Sequence, residues 1–150
     1  MTATDTSMTV VREITIKAPA ARVFAALTEP DQLTQWWGDE KTYRVTQMKR
    51  DLRVGGTWQS TGTSTDGREF IVQGVYRAID PPRLLEYTWR PSWAPDPTQP
   101  DTVVRIDLFE RDGGTLVRVT HSGFADAAQR NSHDDGWMRV FGWLRAFVEK

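Results

Sequence analysis

The chain has 150 residues, with 19 Lys and Arg against 20 Asp and Glu and a formal net charge of −1. This balance is not that of a nucleic-acid-binding protein, which usually has a basic excess, and it disfavours electrostatic attachment to a membrane. The chain has no cysteine, which excludes disulfides, thiolate metal ligands and thiol nucleophiles.

The first eight residues, 1–8, are polar and carry no hydrophobic pattern, which predicts a disordered tail. Residues 9–17 then alternate between apolar and polar side chains, with Arg12, Ile14 and Ile16 on one face. A period of two residues predicts a half-buried strand. We expect one folded domain over residues 9–150, a size typical of single domains.

Two short helices are predicted after this strand. Pro19 suits the first turn of a helix, and Pro30 ends that helix and begins the next. Gly38 marks the end of the second helix. The apolar side chains of the first helix are Ala20, Val23, Phe24 and Leu27. Those of the second helix are Leu33, Trp36 and Trp37.

Strand signals dominate from about residue 44 to residue 121, enough for about six antiparallel strands. Asp66-Gly67 and Asp112-Gly113-Gly114 are typical hairpin turns. Residues 91–101 contain four prolines and are expected to form a long surface loop. Glu69, Arg77, Glu86 and Arg118 fall on the polar faces, as cross-strand surface pairs would. The predicted inward side chains are Trp58, Phe70, Val72, Tyr76, Leu85, Tyr87, Trp89, Val104, Ile106, Leu108, Val117, Val119 and His121.

The C-terminal stretch changes to a helical period. Its apolar residues recur at steps of three and four: Trp137, Val140, Phe141, Leu144, Phe147 and Val148. We expect Asn131 or Ser132 to cap the main body of this helix, after a separate helical segment at 125–130. The helix is the one predicted element long enough to cover the apolar face of the sheet. The result is an α+β fold with a cavity between a curved sheet and this helix.

Several motifs share an order and spacing that resemble a known family. They are the segment from Ile14 to Leu27, Trp36-Trp37-Gly38, Gly55-Gly56-Thr57-Trp58, Gly74-Val75-Tyr76 before Pro81-Pro82, Tyr87-Thr88-Trp89, residues 120–124 (THSGF) and residues 133–137 (HDDGW). The chain, from residue 10 to residue 150, resembles the activator of heat-shock-protein-90 ATPase homologue (Aha-type) family of the START-like, SRPBCC superfamily.

This resemblance implies the helix-grip (START-like, Bet v-type) fold that the pattern also predicts. The eukaryotic namesake uses such a domain as a co-chaperone module beside a second domain. We expect no second domain of that kind within these 150 residues, which argues against a strict co-chaperone role. The superfamily also includes lipid carriers, polyketide cyclases and hormone receptors, so the fold alone leaves the function open.

The large number of aromatic residues predicts a cavity that takes a small, mainly hydrophobic ligand. The side chains expected to contact that ligand are Trp36, Trp37, Trp58, Phe70, Tyr76, Tyr87, Trp89, His121, Trp137 and Phe141. For each of these residues, plain packing in the core is the alternative.

The two histidines are interpreted differently. His121 continues an inward strand face, where it serves either as a hydrogen-bonded core residue, with backbone or the Trp137 region as partner, or as a ligand anchor and acid–base group. His133, Asp134 and Asp135 are adjacent on a helix, so their side chains do not converge on a metal ion. They are expected to form a solvated helix start. No catalytic residue, metal site or cofactor is predicted.

Three functions remain open from the sequence. The first is binding of a small hydrophobic molecule for sensing, transport or a stress-related role. The second is a co-chaperone-like interaction module with a chaperone partner. The third is a cyclase- or aromatase-like enzyme that uses His121 in the same cavity. We expect a cytoplasmic monomer or homodimer that does not bind nucleic acid. Membrane insertion is not expected either, because no stretch of about 18 apolar residues occurs.

Overall fold

The computed structural model describes residues 8–94 and 98–150, which form one seven-stranded sheet and three helices. Most of the predicted tail at 1–8 and the centre of the proline-rich loop lie outside the described residues. The chain begins with β1 (Val10–Ile16), α1 (Ala20–Thr28) and α2 (Pro30–Trp36). Six strands follow: β2 (Tyr43–Arg50), β3 (Thr57–Ser64), β4 (Glu69–Asp80), β5 (Leu84–Pro91), β6 (Thr102–Arg111) and β7 (Gly114–Ser122). The last described element is α3 (Ala127–Val148).

The sheet is antiparallel throughout, in the order β1-β7-β6-β5-β4-β3-β2. Consecutive strands from β2 to β7 are neighbours, as expected when each is joined to the next by a hairpin. The first strand returns to pair with the last, with Ile14 opposite Val117. The sheet is curved into a half-barrel, and α3 lies against it. The predicted helix-grip arrangement is therefore confirmed.

The inward faces of the strands follow the alternation of the sequence. The core includes Val72 and Tyr76 of β4, Leu85 and Tyr87 of β5, and Val119 of β7. On the outer face, Arg77 and Glu86 form an ion pair at 3.5 Å between β4 and β5. Arg118 of β7 likewise pairs with Glu13 of β1 at 2.6 Å. The inward and outward faces predicted from period two are thus confirmed for these residues.

A single helix, α3, replaces the two segments predicted near residue 130. Asp126 caps it, because its carboxylate accepts a hydrogen bond from the backbone N–H of Gln129 at 2.8 Å. The prediction of a cap at Asn131 or Ser132 was therefore wrong: once Asp126 satisfies an N-terminal donor, nothing interrupts the helix. Its buried side chains are Trp137, Val140, Phe141, Leu144 and Val148.

Gly38 links α2 to β2 in a conformation that favours glycine. Its φ angle is 120°, and a Cβ at this position would overlap the carbonyl oxygen of Tyr43. The turn brings Trp37 and Tyr43 together, so that the Trp37 indole donates a hydrogen bond to the Tyr43 hydroxyl at 3.2 Å. The glycine therefore positions two aromatic rings beside the concave face of the sheet.

None of the helices formed by the described residues has an apolar stretch long enough to cross a lipid bilayer.

Candidate functional site

A cavity of about 320 Å³ lies between α3 and the concave face of β2–β5. Its floor and sides come from these four strands, and the ends of α1 and α2 add Leu27 and Leu33. Residues 132–140 of α3 form its cover. None of the described residues of β1, β6 and β7 lines it. The site therefore occupies the half of the sheet that α3 does not pack against directly.

Tryptophan rings make up much of the cavity lining. Trp89 lies at the centre of the cluster, with its ring centroid 6.4 Å from Trp37, 5.8 Å from Trp58 and 6.4 Å from Trp137. Trp93 also lines the cavity. Rings at these separations form the tilted and stacked contacts that aromatic side chains prefer. The lining is mainly aromatic and apolar, which suits an apolar or aromatic ligand.

Two tyrosine hydroxyls lie on the buried part of the lining without a hydrogen-bond partner. Tyr76 and Tyr87 face each other across β4 and β5, and they are only 3% and 8% exposed. Neither hydroxyl forms a hydrogen bond with any described residue. Burial raises the pKa of Tyr76 to about 12 and also raises the pKa of Tyr87. Both phenols are therefore protonated at neutral pH, so they can donate and accept hydrogen bonds.

Two indole N–H groups are also left without a partner. Nε1 of Trp58 and Nε1 of Trp89 are buried, and neither donates to a described atom. An unpaired buried donor costs about 1–3 kcal/mol, and such groups are rare in native proteins. Both belong to side chains that line the cavity. The cavity lining therefore includes both of the buried side-chain atoms without a partner in the described part of the chain.

The mouth of the cavity is more exposed and more polar. Trp93, which is 55% exposed, packs edge-on against Phe70 at 5.5 Å between centroids. Phe70 in turn contacts Tyr43 at 5.4 Å. Arg139 of α3 lines the cavity beside Gly136, and its Nη2 atom would lie 4.0 Å from a Cβ at that glycine. The missing side chain at Gly136 thus leaves open space under the helix.

Seven of the ten side chains predicted to contact a ligand line the cavity: Trp37, Trp58, Phe70, Tyr76, Tyr87, Trp89 and Trp137. The other three lie behind the lining. Trp36 is buried against α1 and donates a hydrogen bond from Nε1 to the carbonyl of Ala26 at 2.8 Å. Phe141 is buried on the same face of α3 as Leu144. Both side chains are buried away from the cavity, which matches the packing alternative.

His121, the third, is fully buried between β6, β7 and α3. The Trp137 indole donates a hydrogen bond to its Nδ1 at 3.0 Å, so Nδ1 is unprotonated. Nε2 therefore carries the proton and donates to the hydroxyl of Thr102 at 2.7 Å. Burial, with a smaller effect from His133, holds the pKa of His121 well below its usual range. Of the two predicted roles, the geometry matches the hydrogen-bonded core histidine.

His133 is not solvated as expected. It is half-buried, lines the cavity, and its ring lies 5.2 Å from the ring of His121. Its Nδ1 lies 2.9 Å from the carbonyl of Gln129, and burial lowers its pKa. Asp134 instead pairs with Arg12 of β1 through two bonds of 2.6 and 3.0 Å. The prediction failed because spacing alone did not reveal which side of α3 faces the sheet.

Sixteen of the 23 lining residues were not among the predicted contacts, and Tyr43, Trp93, Gly136 and Arg139 are four of them. Tyr43 begins a strand whose inward face was not assigned, and Trp93 follows a strand in the proline-rich loop. A glycine within an amphipathic helix was the one available signal for Gly136, since glycine is costly in a helix interior. Nothing in the local pattern distinguishes Arg139 from the solvated arginines.

Comparison with solved structures shows the same fold in bacterial proteins. Protein CV1439 from Chromobacterium violaceum is 26% identical, with a TM-score of 0.81 over 95% of this chain and 98% of that chain. Protein NE0264 from Nitrosomonas europaea is 22% identical, with a TM-score of 0.80 over 98% of this chain and 97% of that chain. These neighbours have the START-like helix-grip arrangement.

A curated relative, uncharacterized protein C63.14 of Schizosaccharomyces pombe, is 32% identical over 114 residues, which are 71% of this chain. The match covers 9% of that protein, so the chain spans a small fraction of its relative's length. A family model matches residues 17–149, from the end of β1 to the end of α3. Because this match includes nearly the whole grip of sheet and helix, the chain belongs to the Activator of Hsp90 ATPase homolog 1-like protein family.

Proposed function

We propose that the protein binds a small, mainly apolar molecule in the cavity between α3 and β2–β5. The observation that carries the proposal is the pair of unpartnered hydroxyls of Tyr76 and Tyr87 on an aromatic cavity lining. In an ordinary packed core, hydroxyl groups are either absent or hydrogen-bonded to a neighbouring protein group. A ligand with one polar group supplies the missing partner.

The size and the chemistry of the cavity support this proposal. Its volume of about 320 Å³ lies at the lower end of the range of small-molecule sites, roughly 300–1,000 Å³. The driving force is removal of apolar ligand surface from water, about 25 cal/mol per Å². The hydroxyls also orient the ligand. A polar group of the ligand loses its hydrogen bonds to water on entering the cavity, and only a position near the tyrosines replaces them.

Native mass spectrometry of the freshly purified protein tests the proposal directly. We expect a stoichiometric small molecule that is released on denaturation. If no molecule co-purifies, the protein is titrated with a panel of apolar compounds, and binding is followed by the intrinsic tryptophan fluorescence. Five of the seven tryptophans line the cavity, so occupancy should change the emission. A protein that is empty and unresponsive contradicts the proposal and favours the protein-interaction function that the family name suggests.

A cavity-filling variant tests whether the ligand binds in the cavity or elsewhere on the surface. In Gly136→Leu the new side chain enters open space, since Nη2 of Arg139 is the one described atom within 4 Å of the added Cβ. We expect ligand binding to weaken at least tenfold, while the fold is retained because leucine favours a helix over glycine.

The matched control is Gly142→Leu, on the exposed side of the same helix, where a Cβ meets nothing within 4 Å. It makes the same chemical change outside the cavity and should leave binding unchanged. Equal binding by both variants would show that the ligand does not occupy this cavity.

A further inference from the structure

The charges on the cavity lining are of one sign. Arg139 carries the one permanent charge among the lining side chains, and no Asp or Glu among the described residues joins it there. His133 is the one other titratable base, and burial favours its neutral form. A cation at the edge of an apolar site attracts anions more strongly than it would in open water, because the neighbouring protein is a poor dielectric.

Arg139 is also free of an internal counter-ion. Ten other arginines form ion pairs within the described part of the chain. Arg139 forms neither an ion pair nor a hydrogen bond with the described residues. Asp39, whose charge acts on Tyr43 together with that of Arg139, is fully engaged elsewhere. Its carboxylate accepts bonds from the backbone of Lys41, from Thr42 and from the Trp143 indole, at 2.7–3.2 Å.

The lining residues differ in how deeply they are buried, from a charged residue at the surface to tyrosines in the interior. Arg139 is exposed, the aromatic rings of Trp37 and Phe70 are half-buried, and Tyr76 and Tyr87 are buried. A ligand that matches this order has an acidic group at one end and an apolar body that reaches the tyrosines. The guanidinium presents parallel N–H groups that suit the two oxygens of a carboxylate.

We propose that the ligand is a small amphipathic organic acid whose carboxylate pairs with Arg139 at the mouth of the cavity. This inference rests on the proposed function and specifies the chemical class of the molecule. The neutral analogue of such an acid enters the same cavity but lacks the ion pair. We expect the acid to bind about 3–10-fold more tightly than its neutral analogue, as for a charge-assisted bond at a partly solvated site.

The experiment compares decanoate with decan-1-ol by isothermal titration calorimetry, using the full chain at pH 7.5 and low salt. The two probes share an alkyl chain and differ in the charged head group. Arg139→Gln should lose the preference for decanoate and retain the binding of decan-1-ol. Raising the ionic strength to about 1 M should reduce the preference of the unmodified protein, because salt screens an exposed charge pair.

Arg44→Gln is the control for a general loss of charge. Arg44 is an exposed residue of β2 between the cavity-lining Tyr43 and Val45, so its side chain lies on the opposite face of the sheet. This variant should keep the preference for decanoate. Equal affinity for both probes in the unmodified protein, or a preference that persists in Arg139→Gln, would overturn the inference and leave the proposed function standing. Binding of neither probe, with no co-purified molecule, would overturn both.

Discussion

At the scale of single residues, hydroxyl groups of the same type have different surroundings in this cavity. The Tyr43 hydroxyl accepts a hydrogen bond from the Trp37 indole at 3.2 Å. The Tyr87 side chain is buried on the cavity lining, and its hydroxyl has no hydrogen-bond partner among the described residues. A buried hydroxyl without a hydrogen bond destabilises the folded state, whereas a paired one contributes about 1 kcal/mol to stability. The Tyr87 hydroxyl therefore contributes no hydrogen bond of its own to the stability of the folded chain.

This difference predicts opposite results for the same substitution at the two positions. Tyr87→Phe should leave the free energy of unfolding unchanged or raise it by up to about 1 kcal/mol, because it removes an unpaired polar atom. Tyr43→Phe should lower it by about 1 kcal/mol, because it leaves the Trp37 N–H without an acceptor. Urea denaturation followed by circular dichroism measures both. A loss of stability in Tyr87→Phe as large as that in Tyr43→Phe would show that the Tyr87 hydroxyl has a partner.

At the scale of elements, His121 joins β6 and β7 to α3. It lies on β7, donates to Thr102 of β6 and accepts from Trp137 of α3. Protonation would place a donor on Nδ1 opposite the indole N–H, so the charged form cannot keep this contact. The same Trp137 lines the cavity, which means that this junction also positions part of the site.

The junction predicts that stability falls in mildly acidic solution. The folded protein holds the pKa of His121 well below the ordinary value of 6.5, so between these two values the unfolded chain binds more protons. The free energy of unfolding should be at its plateau above about pH 7 and should decline by up to about 1.4 kcal/mol per pH unit below 6.5. Denaturation at pH values from 7.5 to 5 measures this slope.

The comparison variant is His121→Gln, which removes the titrating group. Its absolute stability is expected to be lower, but its dependence on pH should be flatter over this range. His133, whose pKa burial also lowers, contributes a slope of the same sign. The variant His133→Gln measures how much of the pH dependence of stability comes from His133. A steep slope that persists in both variants would assign the acid sensitivity to groups outside this pair.

At the scale of the whole molecule, the cavity exists only while α3 lies across the curved sheet. Its lining comes from residues 27–93 on one side and residues 132–140 on the other. The strand order brings these distant segments together, because β1 pairs with β7 and Arg12 of β1 holds Asp134 of α3. A ligand in the cavity therefore binds the folded state and has no equivalent site in the unfolded chain.

This dependence predicts that bound ligand stabilises the entire fold. At a free concentration one hundred times its Kd, a ligand such as decanoate should raise the free energy of unfolding by about 2.7 kcal/mol. For a chain of this size, that corresponds to a rise in Tm of roughly 5–10 °C. Differential scanning calorimetry with and without decanoate measures the shift. Gly136→Leu, with at least tenfold weaker binding, should show about half of this shift or less at the same concentration. A full shift in that variant would place the ligand elsewhere.

The sequence by itself determined the elements and the direction in which most side chains point. Alternation assigned Tyr76, Tyr87 and Trp89 to the concave face, and the helical period assigned Trp137 to the buried face of α3. These predictions succeeded because a period of two or 3.6 residues is a local property of the backbone, and burial of apolar surface fixes it within each element. The resemblance of the motifs to those of the family also predicted how the strands and helices are arranged in the fold.

Only the tertiary structure decided which inward side chains meet and which enclose empty space. It placed His121 and Phe141 behind the lining, brought His133 into it, and left Arg139 at the mouth without a counter-ion. These outcomes depend on the curvature of the sheet and on where α3 crosses it. Both are set by long-range packing, so residues with the same local pattern become core on one half of the sheet and cavity lining on the other.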